Sequence, residues 1–113
     1  MQNQTEPVAI ATTNAAAGVN NPITPVPNIT QRIRCYSILL SNNLAGTNII
    51  SLHWAGYAAA ITLSLPTNVL GIPLYIVLPS GKHYDGPAGV GLQINVAGGT
   101  VDVNLMYDLI DSI

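Results

Sequence analysis

Between Gly91 and Leu109 the chain reads GLQINVAGGTVDVNLMYDL, with apolar residues at every second position on both sides of a Gly-Gly pair. Leu92, Ile94 and Val96 alternate with Gln93 and Asn95. Val101, Val103, Leu105, Tyr107 and Leu109 alternate with Asp102, Asn104, Met106 and Asp108. Successive strand side chains point to opposite faces, so alternation sustained this long demands one buried face and one polar face. Gly98-Gly99 offers the positive φ angles of a tight turn, and the pattern predicts a β-hairpin. A lone hairpin is marginal in water, so its apolar face needs more sheet to lie on.

The preceding sequence supplies it. Ile33 to Asn42 is apolar on both faces, with Ile33, Cys35, Ser37 and Leu39 set against Arg34, Tyr36, Ile38 and Leu40. Asn42 to Thr47 has turn composition. Asn48 to Trp54 predicts a strand with Ile50, Leu52 and Trp54 on one face. Ala58 to Leu65 predicts another, with Ile61, Leu63 and Leu65 opposite Thr62 and Ser64. Pro66 to Gly71 reads as a loop, Ile72 to Leu78 as a strand and Pro79 to Lys82 as a turn. A Gly-rich passage, His83 to Gly91, feeds the hairpin, and Ile110 to Ile113 should trail off the last strand. Short strands spaced roughly 8 to 12 residues apart, with Gly, Pro and Asn turns, argue an all-β antiparallel sandwich or small barrel. The expected fold is a jelly-roll-like sandwich of about six to eight strands.

Residues 1–31 differ in composition. They hold one charge, Glu6, and prolines at 7, 22, 25 and 27. Proline removes backbone donors and favours extended or edge geometry, so residues 1–31 read as an N-terminal arm and residues 32–113 as the β domain. The Ala15-Ala16-Ala17 run is too short for a stable helix. Pro7, Val8, Ile10, Ile23, Pro25 and Val26 make this stretch more apolar than a solvated tail needs, which favours an arm docked on a neighbouring subunit. A loose tail is the plainer alternative.

Charge is scarce. The charged residues are Glu6, Arg32, Arg34, Lys82, Asp85, Asp102, Asp108 and Asp111, 7% of the chain, against roughly 25% in average domains. Charged residues are depleted at the centres of protein interfaces, so a surface covered by another protein is one explanation. A surface dispersed by Asn, Thr, Ser and Gln is the other. A net charge of −2 and the lack of any basic run give a phosphate backbone little to bind, so no nucleic-acid partner is expected. The longest apolar run, Val69 to Leu78, contains Pro73 and is far short of the roughly 20 residues of a membrane span. No membrane association and no secretory signal are expected. The single cysteine, Cys35, excludes an intrachain disulfide and suits a small buried apolar role. Asn3-Gln4-Thr5 and Asn28-Ile29-Thr30 match the glycosylation pattern by chance in the absence of such a signal.

No catalytic set emerges. His53 and His83 are the only histidines, and Lys82-His83-Tyr84-Asp85 is the most polar cluster, but two ligands make no metal site. Asp102 and Asp108 should share a face about 20 Å apart, too far for an acid–base pair. No catalytic residue, metal or cofactor is therefore expected. Arg32, Arg34 and Tyr36 line one strand face at the start of the domain and are candidate interface residues, or simply solvate it. Trp54 and Tyr107 read as core or interface anchors. Exposed Tyr or Trp faces stacking on sugar rings would make the chain a glycan-binding module, the alternative reading.

A strand ending in SILLSNN, a short Trp-containing strand, a segment ending in LSLP and then GVGLQINVAGGTVDVNLMYD together resemble small β-sandwich virion proteins of tailed bacteriophages. The resemblance spans Ile33 to Asp108 and lies in layout more than in individual residues. It implies a non-enzymatic capsid-decorating or minor structural protein, made in the host cytoplasm and carried on the virion. It further implies a trimer or larger symmetric oligomer whose terminal arm grips the major capsid or another virion protein. No catalytic residues are implied.

Overall fold

The computed structural model describes residues 9–44, 46–58, 61–65, 74–77 and 84–111. Seven strands run in chain order: β1 (Ala9–Pro22), β2 (Gln31–Asn42), β3 (Asn48–Trp54), β4 (Ile61–Leu65), β5 (Leu74–Val77), β6 (Tyr84–Asp85) and β7 (Leu92–Asp111). All pairings are antiparallel and join the strands into one curled sheet, a half-barrel. No helix occurs among the described residues.

The spine is β7. On one edge it pairs with β1, from Ala9 opposite Tyr107 to Pro22 opposite Gln93. On its other edge β2 and β3 lie end to end, β2 along Val101 to Asp111 and β3 along Leu92 to Val96. Beyond them, β5 and β6 border β2, and β4 borders β3.

This arrangement corrects the hairpin expected at Gly98-Gly99. β7 is a single strand of 20 residues, and the glycines mark a bulge inside it. The inward face is Leu92, Ile94 and Val96 before the glycines and Val101, Val103, Leu105 and Tyr107 after them. A one-residue change of phase is what an inserted bulge residue produces, and Gly99, at φ 59°, takes the left-handed conformation such a bulge needs. The ladder breaks at the bulge, so Gly98 needs other partners for its backbone. Asn48 provides both: its Nδ2 donates to Gly98 O at 2.7 Å, and its Oδ1 accepts from Gly98 N at 3.2 Å. Asn48 is fully buried and also donates to Asn42 Oδ1 at 3.2 Å. Asn42 in turn closes the β2–β3 connection, accepting from Leu44 N and donating to Gly46 O, both at 2.9 Å.

A second bulge corrects the face assignment of β2. Cys35 sits opposite Tyr107 and Ser37 opposite Met106, leaving Tyr36 as the extra residue. The buried side chains are therefore Ile33, Cys35, Ser37, Ile38 and Leu40, not Leu39. The expected faces of β3 and β4 hold. Ile50, Leu52 and Trp54 are buried, and Ile61, Leu63 and Leu65 face opposite to the exposed Thr62 and Ser64.

The stretch expected as an arm contributes a strand to this same sheet. β1 and β2 flank the same spine, and Ala11 and Ala15 face inward beside Leu105 and Val101. The alternation is hard to read in β1 because its inward residues are alanines. Ile23 is also buried, and its N–H donates to Leu92 O at 2.9 Å. The Leu92 N–H donates to the hydroxyl of the buried Thr24 at 3.0 Å. The final strand runs on to Asp111, paired with Gln31, where a trailing end was expected from Ile110.

The concave face holds the core. It includes Ile33, Leu40, Ile50, Leu65, Leu92, Ile94, Val101, Val103 and Leu105, each essentially fully buried. Each such side chain contributes about 1.5–3 kcal/mol relative to exposure. Trp54 and Tyr107 are core residues as well, and the Trp54 ring lies 4.9 Å from that of Tyr84.

Candidate functional site

The residues singled out from sequence sort into three groups. Pro7 and Val8 lie outside the described residues. Ile23 and Trp54 are buried within their own chain. Ile10, Pro25 and Val26 are exposed, Ile10 at 66% and Val26 at 75% of their surface. Arg32, Arg34 and Tyr36 are half-buried on the convex face of β2. Arg34 meets an acid of its own chain: Nε and Nη2 donate to the two carboxylate oxygens of Asp85, each at 3.0 Å. This bidentate bond is the main cause that raises the Arg34 pKa, and it pins the two-residue strand β6 to β2. Tyr36 donates to Asp108 Oδ2 at 3.0 Å. Burial, followed by that hydrogen bond, raises its pKa.

Polar ladders run across the convex face from β1 to β7. The Thr12 hydroxyl donates to Asn104 Oδ1 at 3.0 Å, and Asn14 Nδ2 donates to Asp102 Oδ1. Asp102 Oδ2 also accepts from Asn43 Nδ2 at 3.2 Å. Asp102 thus holds neutral neighbours, as on a solvated face, whereas Asp108, opposite Arg34 in the ladder, holds Tyr36 through Oδ2 and has its Oδ1 buried.

The outer edge of β1 is the most distinctive surface. β1 spans 14 residues, AIATTNAAAGVNNP, without a charge, and pairs only with β7 among the described strands. An unpaired strand edge offers a row of backbone donors and acceptors to another chain. Soluble proteins usually blunt such edges with charges, prolines or bulges. Here the register shifts near Gly18 and the terminal Pro22 interrupt only one end. From Ala9 to Ala16 the register is unbroken.

At that interrupted end, β1, β3 and β7 form a polar cleft of about 370 Å³. His53 and Gln93 face each other across the β3–β7 ladder, and Asn95 stands two residues along from Gln93. Asn20 enters from the β1 bulge at φ 60°, a left-handed conformation that Asn tolerates better than most residues. Its backbone N–H donates to Asn95 Oδ1 at 2.8 Å. His53 Nε2 lies 3.0 Å from both Asn20 Oδ1 and Gln93 Oε1. Tyr57, held by its N–H donating to Trp54 O at 2.8 Å, stands 56% exposed at the rim. These residues are up to 75 positions apart in sequence. No spacing rule would gather them; the only advance signal was a polar residue opposite each apolar one.

Among the described residues no three His, Cys, Asp or Glu side chains gather as a metal site. Cys35 is buried as expected, and burial, with a smaller contribution from Asp85, pushes its thiol up to about 12. Such a thiol is inert as a nucleophile. His83 and Lys82 lie outside the described residues. No protein-family model and no curated protein matches the chain.

Proposed function

We propose that this chain is a non-enzymatic structural protein that works by associating with copies of itself, through the open edge of β1. The observation that carries the reading is that edge: a long strand without charge, with an unbroken register over half its length. The scarcity of charge over the whole chain supports it, as does exposed apolar Ile10 next to Met106 on the convex side. The layout resembling small phage virion proteins favours a place on a virion, in a trimer or larger symmetric oligomer seated on the major capsid or another virion protein. In this reading the curled sheet is part of a jelly-roll-like sandwich, and the N-terminal segment bearing Pro7, Val8 and Ile10 docks on the neighbouring subunit.

Light scattering on a sizing column tests the edge. The native chain should run as a closed oligomer whose mass is unchanged as salt rises, because few ion pairs are available to screen. Ile10→Lys with Ala16→Lys places two charges on exposed β1 positions and should yield monomers with an unchanged circular dichroism spectrum. A native monomer, or an oligomer indifferent to both lysines, would refute the edge as the contact.

A further inference from the structure

We infer that the cleft formed by Asn20, His53, Tyr57, Gln93 and Asn95 binds a neutral saccharide unit. It is independent of the β1 association, since all five residues belong to one chain.

Three observations carry the inference. The first is His53. It is only 4% exposed, and its Nδ1 is buried without a hydrogen-bond partner among the described residues. Both neighbours of Nε2 are amide oxygens, so Nε2 is the donor and Nδ1 is left as an acceptor. Nε2 thereby engages the amide oxygens of Asn20 and Gln93 in the cleft wall, and the amide nitrogens of both, without partners among the described residues, are left for the oxygens of a ligand.

The second is the chemistry of the lining. Asn20, Gln93 and Asn95 carry side-chain amides, each both donor and acceptor, and no charged residue among the described ones lines the cleft. Asn95 Oδ1 is taken by Asn20 N–H, while its amide nitrogen has no partner among the described residues. An uncharged wall that both donates and accepts matches hydroxyl groups, which do the same. It offers no counter-charge to a phosphate, a carboxylate or an amine.

The third is Tyr57. Its exposed ring at the rim gives an apolar face with a polar tip, suited to the C–H face of a sugar ring. The volume, about 370 Å³, lies at the small end of ligand pockets and fits one or two sugar rings. The left-handed Asn20, uncommon for a residue other than glycine, is held in place by the amide network of the cleft. The sheet thus fixes the wall in advance of any ligand.

The test is proton–nitrogen correlation NMR of the full chain during titration with glucose, galactose, mannose, N-acetylglucosamine, lactose or glucuronate. At least one neutral sugar should give saturable shifts in the side-chain amides of Asn20, Gln93 and Asn95 and in the His53 ring. Glucuronate should bind more weakly than glucose. Tyr57→Ala should weaken binding about 3- to 10-fold, while Tyr57→Phe keeps most of it. Gln93→Ala should weaken it about 10-fold. Tyr57 is exposed, so its variants keep the fold, and the core resonances of each variant report this directly. No saturable shift with any neutral sugar would overturn the inference and leave a water-filled cleft. So would shifts centred elsewhere, tighter binding of glucuronate, or a folded Tyr57→Ala with undiminished affinity.

Discussion

Gly99→Ala should destabilise the fold and Gly98→Ala should not, because only one of the two glycines does what glycine alone does well. Gly99 sits at φ 59°, where an L-residue costs roughly 1–2 kcal/mol. A Cβ there would lie 3.2 Å from Leu44 Cβ and Cδ1 and 3.3 Å from Leu44 Cα. Leu44 Cα belongs to a loop fixed by Asn42, so it yields poorly, and crowding adds about 1 kcal/mol. Gly99→Ala should therefore destabilise the fold by about 2–3 kcal/mol. Gly98 is outside the left-handed region, and its nearest contact would be Leu44 Cδ2 at 3.4 Å, the end of a flexible side chain. Alanine there restricts the unfolded chain and should leave the fold unchanged or up to about 1 kcal/mol more stable. For a domain of 113 residues, 1 kcal/mol shifts Tm by about 4 °C, so the two variants should melt about 12 °C apart. Urea titration should show the same order with equal slopes. A type I′ hairpin needs positive φ at both central residues and would make both substitutions costly. Equal destabilisation of the two variants would thus refute the bulge.

Asn48→Ala removes both partners of the part-buried Gly98 peptide groups and should cost about 2–5 kcal/mol by urea denaturation; a loss under 1 kcal/mol would show that water replaces the amide. Gly86→Ala should cost about 1–3 kcal/mol and shift the Trp54 emission, since a Cβ there would sit 2.6 Å from the Trp54 ring; an unchanged Tm would mean the ring has room to move. Stability should fall in alkali, because the folded chain holds the Cys35 proton up to about 12, against an ordinary value of 9.0, and the Tyr36 and Tyr84 protons above their ordinary 10.0. The stabilisation is complete below pH 9 and is lost as pH rises toward 12, at about 1.4 kcal/mol per pH unit for Cys35 alone. Cys35→Ala should flatten the decline between pH 9 and 10, and an equal slope in that variant would count against the buried thiol.

Strand identity was legible wherever large apolar residues alternate. Ile50, Leu52 and Trp54 announce β3, and Ile61, Leu63 and Leu65 announce β4. β1 was not legible as a strand of the sheet, because Ala11 and Ala15 make its buried face and alanine is weak evidence for either burial or strand. β6 was hidden for a different reason. Two residues carry no period, and what holds them is the ion pair between Arg34 and Asp85, 51 positions apart. The polar cleft was equally invisible. Each of its amides reads in sequence as the solvated alternate of a strand, and only the pairing of β1, β3 and β7 brings them round His53.

The reading of Gly98-Gly99 shows where local reasoning reaches its limit. Buried positions run even up to Val96 and odd from Val101, and a two-residue turn satisfies that change of phase as well as a single extra residue does. Alternation within β7 therefore cannot choose between folding the strand back on itself and letting it run on. The choice falls to the other edges. If the strand turned back, its two halves would satisfy each other and leave β1 without a long partner. Running on, it takes β1 along one edge and β2 with β3 along the other, so a single spine organises the chain from Ala9 to Trp54. The gap this opens in the ladder at Gly98 is filled by one amide, Asn48, placed 50 residues earlier. A turn would have met its own backbone needs locally; the bulge depends on that distant side chain, which makes Asn48 the residue that selects one architecture over the other.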